Sequence, residues 1–297
     1  MDPPKEYESR LARWTERAQA YERTHIWTGN LRILFFVVLL GGAALFCRTW
    51  LSVSVGLLII MIGLFVSGMI HCRPHLEEAL SVIKAHKPLF VDKPLVSSLR
   101  DALEIFRQAR ENSVPIYSGS SLRFYPNLRE MKAADSGRLK GAFSCGPCGM
   151  EPHHPDLFWY GIHPTEALYT IMGPGCKTVV CTATADMHVV PGIWQDGKKG
   201  TLCGIHTGPA TYQVVLYGSK KALSEQLTGD YAPFVRQLVK FFQTGVVPVN
   251  PEETLEIYAF MEAAEESKRQ GDSPVKISDI MRKNGGDAIP LSRSFLR

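Results

Sequence analysis

The string Cys145-Gly-Pro-Cys148 has the letters of a thiol–disulfide exchange motif. That chemistry needs the first cysteine at the N-terminus of a helix, where the local field lowers its pKa. Here Gly141 to Cys145 reads as a strand and Pro147-Cys148-Gly149 as a loop, which argues against exchange. Cys145, Cys148, His153 and His154 are metal-ligand types. Their spacing is tighter than ordinary zinc pairs, and adjacent histidines rarely share an ion, so no metal site is expected. Gly173-Pro-Gly175 is a turn too short to cradle a phosphate, and no G-x-x-x-x-G-K-[ST] loop occurs in the chain. The seven cysteines are odd in number and form no dense ladder, which fits free thiols in a reducing compartment. A net charge of +4 over 297 residues offers no strongly basic stripe, so no nucleic-acid partner is expected.

Apolar residues crowd into the first quarter of the chain. Leu31 to Cys47 carries Arg32 as its one charge, and Leu51 to Ile70 carries none. A bilayer core of about 30 Å needs roughly 20 apolar residues, so residues 31–70 are predicted to form a transmembrane helical hairpin. Arg10, Arg13, Arg17, Arg23 and Arg32 precede it, and Arg73, Lys84 and Lys87 follow it. That distribution puts both ends inside, on the cytoplasmic side of an inner membrane, with lipid as a partner. Residues 1–30, with charges around Leu11 and Trp14, suit an amphipathic cytoplasmic arm.

After Arg73, helix and strand signals alternate. Leu76, Ala79, Leu80 and Ile83 recur at helical spacing, and Pro88 to Val91 is a short apolar run. Ser97-Ser98 can cap a helix bearing Leu99, Ala102, Leu103, Phe106 and Ala109, and Val114 to Tyr117 is a second short strand. Two strand–helix units of this size predict a partial Rossmann-like α/β layer over residues 73–136. Short β-rich runs then follow at Lys177–Ala183, His188–Trp194, Lys199–Ile205 and Tyr212–Tyr217, with turns between them. Helices are predicted over Tyr231–Thr244 and Pro251–Gln270. Residues 137–282 therefore read as an α+β domain with a mainly antiparallel sheet, and residues 283–297 as a tail.

The stretch from RPHLEEALSVIKAHKPLFVDKPL to SLRF is similar to the second part of the Rossmann domain of Gfo/Idh/MocA-type oxidoreductases. Asp92-Lys93-Pro94 stands where that family has an acidic-Lys-Pro motif after a strand. EPHHPDLFWYGIHPTEALYTIMG resembles its active-site helix, and PEETLEIYAFMEAAEESKRQG its C-terminal helix. The resemblance runs from about Arg73 to Ile280 and implies oxidation of a sugar or polyol hydroxyl with NAD or NADP. Lys93 would bind the reacting hydroxyl, and with Asp92 and Pro94 help position the nicotinamide. His163 would take the hydroxyl proton, since alcohol oxidation needs a base of near-neutral pKa.

Arg123, His153, His154, Asp156 and Tyr160 are read as further substrate contacts, with both histidines at the pocket mouth, and the resemblance implies homo-oligomers paired through the C-terminal sheet. The bland alternatives are a surface lysine, a core histidine, and an Arg123 that bridges two layers.

Two departures from the family pattern stand out. Trp159 occupies the position where the family has an aspartate orienting the histidine, so Asp156 or Glu166 would have to substitute. The G-x-G-x-x-G fingerprint that holds a pyrophosphate is absent, and the apolar segment stands where it would precede Arg73. The expectation is a membrane-tethered oxidoreductase impaired on its own. The alternatives are a non-catalytic carbohydrate-binding or scaffolding module, and a gene-fusion remnant.

Overall fold

A computed structural model describes residues 75–150 and 155–286. The predicted arm, both membrane spans and the end of the tail lie outside the described residues. Among the described residues, no helix is long and apolar enough to cross a membrane.

The first layer contains α1 (His75–Lys84), β1 (Leu89–Phe90), α2 (Leu99–Glu111) and β2 (Ile116–Tyr117). Helix α2 starts where the Ser98 hydroxyl accepts from the Asp101 amide at 3.1 Å. Leu99, Ala102, Leu103, Phe106 and Ala109 form its buried face, as their spacing predicts. Strands β1 and β2 pair in parallel, Leu89 opposite Ile116 and Phe90 opposite Tyr117. Among the described residues this parallel layer is two strands wide.

A 3-10 turn (Ser121–Phe124) and α3 (Pro126–Ala133) lead into the larger sheet. Its elements are β3 (Leu139–Pro147), α4 (Ile162–Met172), β4 (Cys176–Val179), β5 (Thr182–Ala183), β6 (Met187–Trp194), β7 (Lys199–Ile205), β8 (Gln213–Gly218) and β9 (Ala222–Gln226). Then come α5 (Ala232–Thr244), α6 (Pro251–Arg269), β10 (Val275–Lys276) and α7 (Ile277–Lys283). The strand order is β10-β4-β6-β7-β3-β8-β9, with β5 beside β6.

Most neighbours are antiparallel, but the sheet is mixed. Strand β3 lies between β7 and β8, parallel to the first and antiparallel to the second. The excursion through α4 and the β4–β6 strands gives the chain length to return alongside β3, which a tight turn would forbid.

Helix α6 joins the two layers. Asn250 caps it by accepting from the Glu252 amide at 3.0 Å, and Pro251 opens its first turn. Leu255, Ile257, Tyr258, Phe260 and Met261 are all buried, so the helix is covered around most of its circumference. Its Tyr258 hydroxyl accepts from the Val96 amide at 3.2 Å, and Glu262 accepts from the Leu99 amide at 2.6 Å. These bonds fix the segment just after Lys93. Helix α5 closes a separate aromatic cluster, with Phe234 and Phe241 against Tyr117 and Phe124.

Candidate functional site

Loops leaving the carboxyl ends of parallel strands converge on one side of a sheet, where α/β folds bind ligands. Lys93 lies on the loop after β1, and Ser118 to Ser120 follow β2. His163 sits in the first turn of α4, whose N-cap is Gly161. The fold brings these segments together.

Lys93 Nζ donates to the Trp159 carbonyl at 3.2 Å. It lies 4.6 Å from the Tyr160 ring centroid and 5.2 Å from that of Trp159, within cation–π reach of both. The His163 ring stands edge-on between Tyr160, 5.6 Å away, and Tyr212, 5.7 Å away. Gly146 allows this approach of Tyr212, because a Cβ there would lie 2.4 Å from the tyrosine ring.

The electrostatics follow from burial. Loss of hydration lowers the Lys93 pKa, and nearby Asp92 partly opposes that. Burial first, and the Lys93 ammonium second, push His163 down to about 3. His163 is therefore a neutral imidazole at physiological pH, held beside a cation. A neutral imidazole has a lone pair to receive a hydroxyl proton, but a conjugate acid near 3 makes it a far weaker base than the near-neutral one expected from the sequence.

The orienting partner of His163 is neither Asp156 nor Glu166. The Ser120 hydroxyl lies 2.7 Å from His163 Nδ1. Ser120 is fully buried and also accepts from the Leu122 amide at 3.2 Å. If Nδ1 carries the proton and donates to Ser120, Nε2 keeps the lone pair that a general base needs.

The other expected residues are placed as follows. Tyr160 borders the Lys93–His163 pair, Asp92 is exposed, and Pro94 is buried with a cis peptide to Lys93. His153 and His154 lie outside the described residues. Arg123 and Asp156, expected against substrate, each form ion pairs within the protein. Arg123 is 7% exposed, paired with Glu166 and, at 2.6 Å, with Glu253. Its buried guanidinium clamps the 3-10 turn to α4 and α6. Asp156 pairs with Lys268 and stands 3.4 Å from His188. Cys145 lies in β3 opposite Cys203 rather than at a helix N-terminus, and burial raises the Cys148 thiol to about 12. Neither is poised for exchange.

Sequence reasoning missed Ser120 and Tyr212 as site residues. Ser120 had one available signal: Ser118-Gly-Ser-Ser follows β2 as Asp92-Lys93-Pro94 follows β1. Tyr212 had none, because its contact depends on the pairing of β8 with β3.

No family model and no curated protein sequence matches the chain. Solved structures do. GenD2 from gentamicin A biosynthesis, in complex with NAD, superposes with a TM-score of 0.60 at 19% identity, covering 68% of this chain and 75% of that one. A myo-inositol dehydrogenase from Corynebacterium glutamicum gives 0.57 at 14% identity, covering 68% and 76%. An oxidoreductase from Agrobacterium radiobacter, in complex with NAD+, L-tartaric acid and magnesium, gives 0.58 at 15% identity, covering 69% and 78%. The chain thus shares the fold of Gfo/Idh/MocA-type dehydrogenases over about 70% of its length.

Proposed function

We propose that this chain carries the hydroxyl-handling part of a sugar or polyol oxidoreductase. The observation that carries this is the neutral His163 held beside the Lys93 ammonium and oriented by Ser120. A substrate hydroxyl between them donates to His163 Nε2, and Lys93 stabilises its oxygen as negative charge develops. Proton transfer requires that the ring's pKa rise from about 3 toward neutrality once substrate and cofactor are in place. Tyr160 and Tyr212 flank the imidazole and offer aromatic faces and hydroxyls to a sugar ring.

Hydride loss needs an acceptor, and the resemblance names NAD or NADP. The residues present fit the reacting end of such a cofactor and not its phosphates. The sequence lacks the G-x-G-x-x-G fingerprint, and the parallel layer among the described residues is two strands wide. The described residues alone do not hold a whole dinucleotide, and a pyrophosphate cradle must come from elsewhere.

The wider proposal rests on sequence and fold likeness. Residues 31–70 tether the chain to a membrane with the enzyme-like part in the cytoplasm, as the basic flanks suggest. Copies pair through the large sheet, on whose strands Ile193 and Tyr217 are half exposed.

The test uses the full chain in detergent with NAD+ or NADP+, a panel of polyols and absorbance of the reduced nicotinamide. Slow turnover that is abolished by Lys93→Met and by His163→Asn supports the proposal. Cofactor binding should not saturate in the micromolar range, and saturable micromolar NADH binding would refute the missing-cradle part. A carbohydrate-binding module without catalysis is the second possibility, favoured by the absent fingerprint. It predicts polyol binding with no turnover at any cofactor concentration.

A further inference from the structure

A second group of ionisable side chains has no part in the chemistry assigned to Lys93 and His163. Asp156 precedes α4, His188 belongs to β6, and Glu265 and Lys268 lie a turn apart on α6. Donor atoms of Asp156, His188 and Glu265 all lie within 4.8 Å of one another. Lys268 Nζ bonds to Asp156 and stands 2.9 Å from Glu265. One ammonium against two carboxylates leaves a negative charge uncompensated.

The histidines supply the independent observation. His188 is 2% exposed, yet among the described residues neither ring nitrogen has a well-formed hydrogen bond. Its Nε2 points to Asp156 Oδ2 at 3.4 Å, too long and poorly aligned to satisfy it. A buried polar group left this way costs about 1–3 kcal/mol. His206 packs edge-on against it, with ring centroids 4.5 Å apart. Because His206 Nδ1 meets the Cys148 carbonyl at 2.7 Å, Nδ1 carries the proton and Nε2 the lone pair. That Nε2 is also buried and has no partner among the described residues. A backbone carbonyl on one imidazole nitrogen and a free lone pair on the other is the arrangement of metal-bound histidines.

We infer that Asp156, His188 and Glu265 form a site for a divalent transition ion of the zinc class, with Lys268 as the competing cation. Two carboxylate oxygens and one imidazole nitrogen suit zinc or cobalt, and a doubly charged ion balances both carboxylates. The Lys268 side chain is 32% exposed, so its ammonium can be displaced to water. His206 is the next imidazole against the group. Sequence spacing could not reveal this site, since its ligands come from three separate segments.

The test is a Co2+ titration of the full chain, followed by visible d–d absorption and by competition with Zn2+. The wild-type chain should develop the bands of a low-coordinate site. His188→Asn and Glu265→Gln should each weaken binding by roughly tenfold or more, with folding checked by circular dichroism. Lys268→Met should strengthen it by roughly tenfold, because the competing charge is gone. No bands in the wild-type chain would overturn the inference, even if Lys268→Met acquires them. Equal affinity in wild type and His188→Asn would overturn it as well, by placing the ion elsewhere. Neither result depends on oxidoreductase activity, so failure here leaves the Lys93–His163 proposal untouched.

Discussion

Acidification should destabilise this chain more than it destabilises a His163→Asn variant. His163 has its pKa lowered from 6.5 to about 3 by burial and by Lys93. Because the folded value is depressed, the unfolded chain takes up a proton first as the pH falls. The stabilisation from keeping the ring neutral is therefore complete above about pH 6.5 and is lost progressively below it. At about 1.4 kcal/mol per pKa unit, the whole shift is linked to at most about 5 kcal/mol, and about 2.5 kcal/mol is gone by about pH 4.5. Asparagine removes the titration and keeps a donor near the position of Nδ1, so Ser120 stays partnered. The assay is urea unfolding of the full chain in detergent, read by tryptophan fluorescence, since Trp194 is 2% exposed. Between neutral pH and about pH 4.5, wild type should lose about 2 kcal/mol more than His163→Asn. Equal losses would refute the buried, neutral imidazole.

Three other perturbations test the surroundings of the pair. Ser120→Ala removes the partner 2.7 Å from His163 Nδ1, and the unsatisfied ring should cost about 1–3 kcal/mol of stability and roughly tenfold in turnover, read by thermal melts and initial rates. Threonine should rescue part of both. Arg123→Met leaves Glu166, 2% exposed, without its guanidinium, and should destabilise by about 3–5 kcal/mol in the same urea assay. The double variant Arg123→Met/Glu166→Leu should recover much of that loss if the role is structural. Gly146→Ala puts a methyl 2.4 Å from the Tyr212 ring and should lower polyol affinity with little change in secondary structure, compared by calorimetry and circular dichroism.

Much of the local structure was written in short-range signals. Ser98 before an apolar helical face announced α2, and a helix was legible over Pro251–Gln270, close to the observed α6. The strand runs of the second half were equally legible, because alternation and turns are local. The insertion of β3 beside β7 was not, since nothing near Cys145 says that it will face Cys203. Lys93 and His163 were named through resemblance, whereas their surroundings depended on topology. Ser120 orients the imidazole only because the segment after β2 meets the first turn of α4. The ion-pair partners of Arg123 and Asp156 were illegible for a related reason. A buried charge goes to its strongest partner, and Glu166 and Lys268 could not be ranked before the fold brought them near.

The most direct measurement is the ring 15N spectrum of His163 in the full chain, recorded with and without added polyol and with no cofactor present. A neutral Nδ1–H imidazole is expected at physiological pH, its Nε2 resonance moving saturably with polyol in wild type and staying still in Lys93→Met. A protonated ring, a neutral ring with its hydrogen on Nε2, or a spectrum unmoved by every polyol would contradict a hydroxyl held between Lys93 and a basic His163.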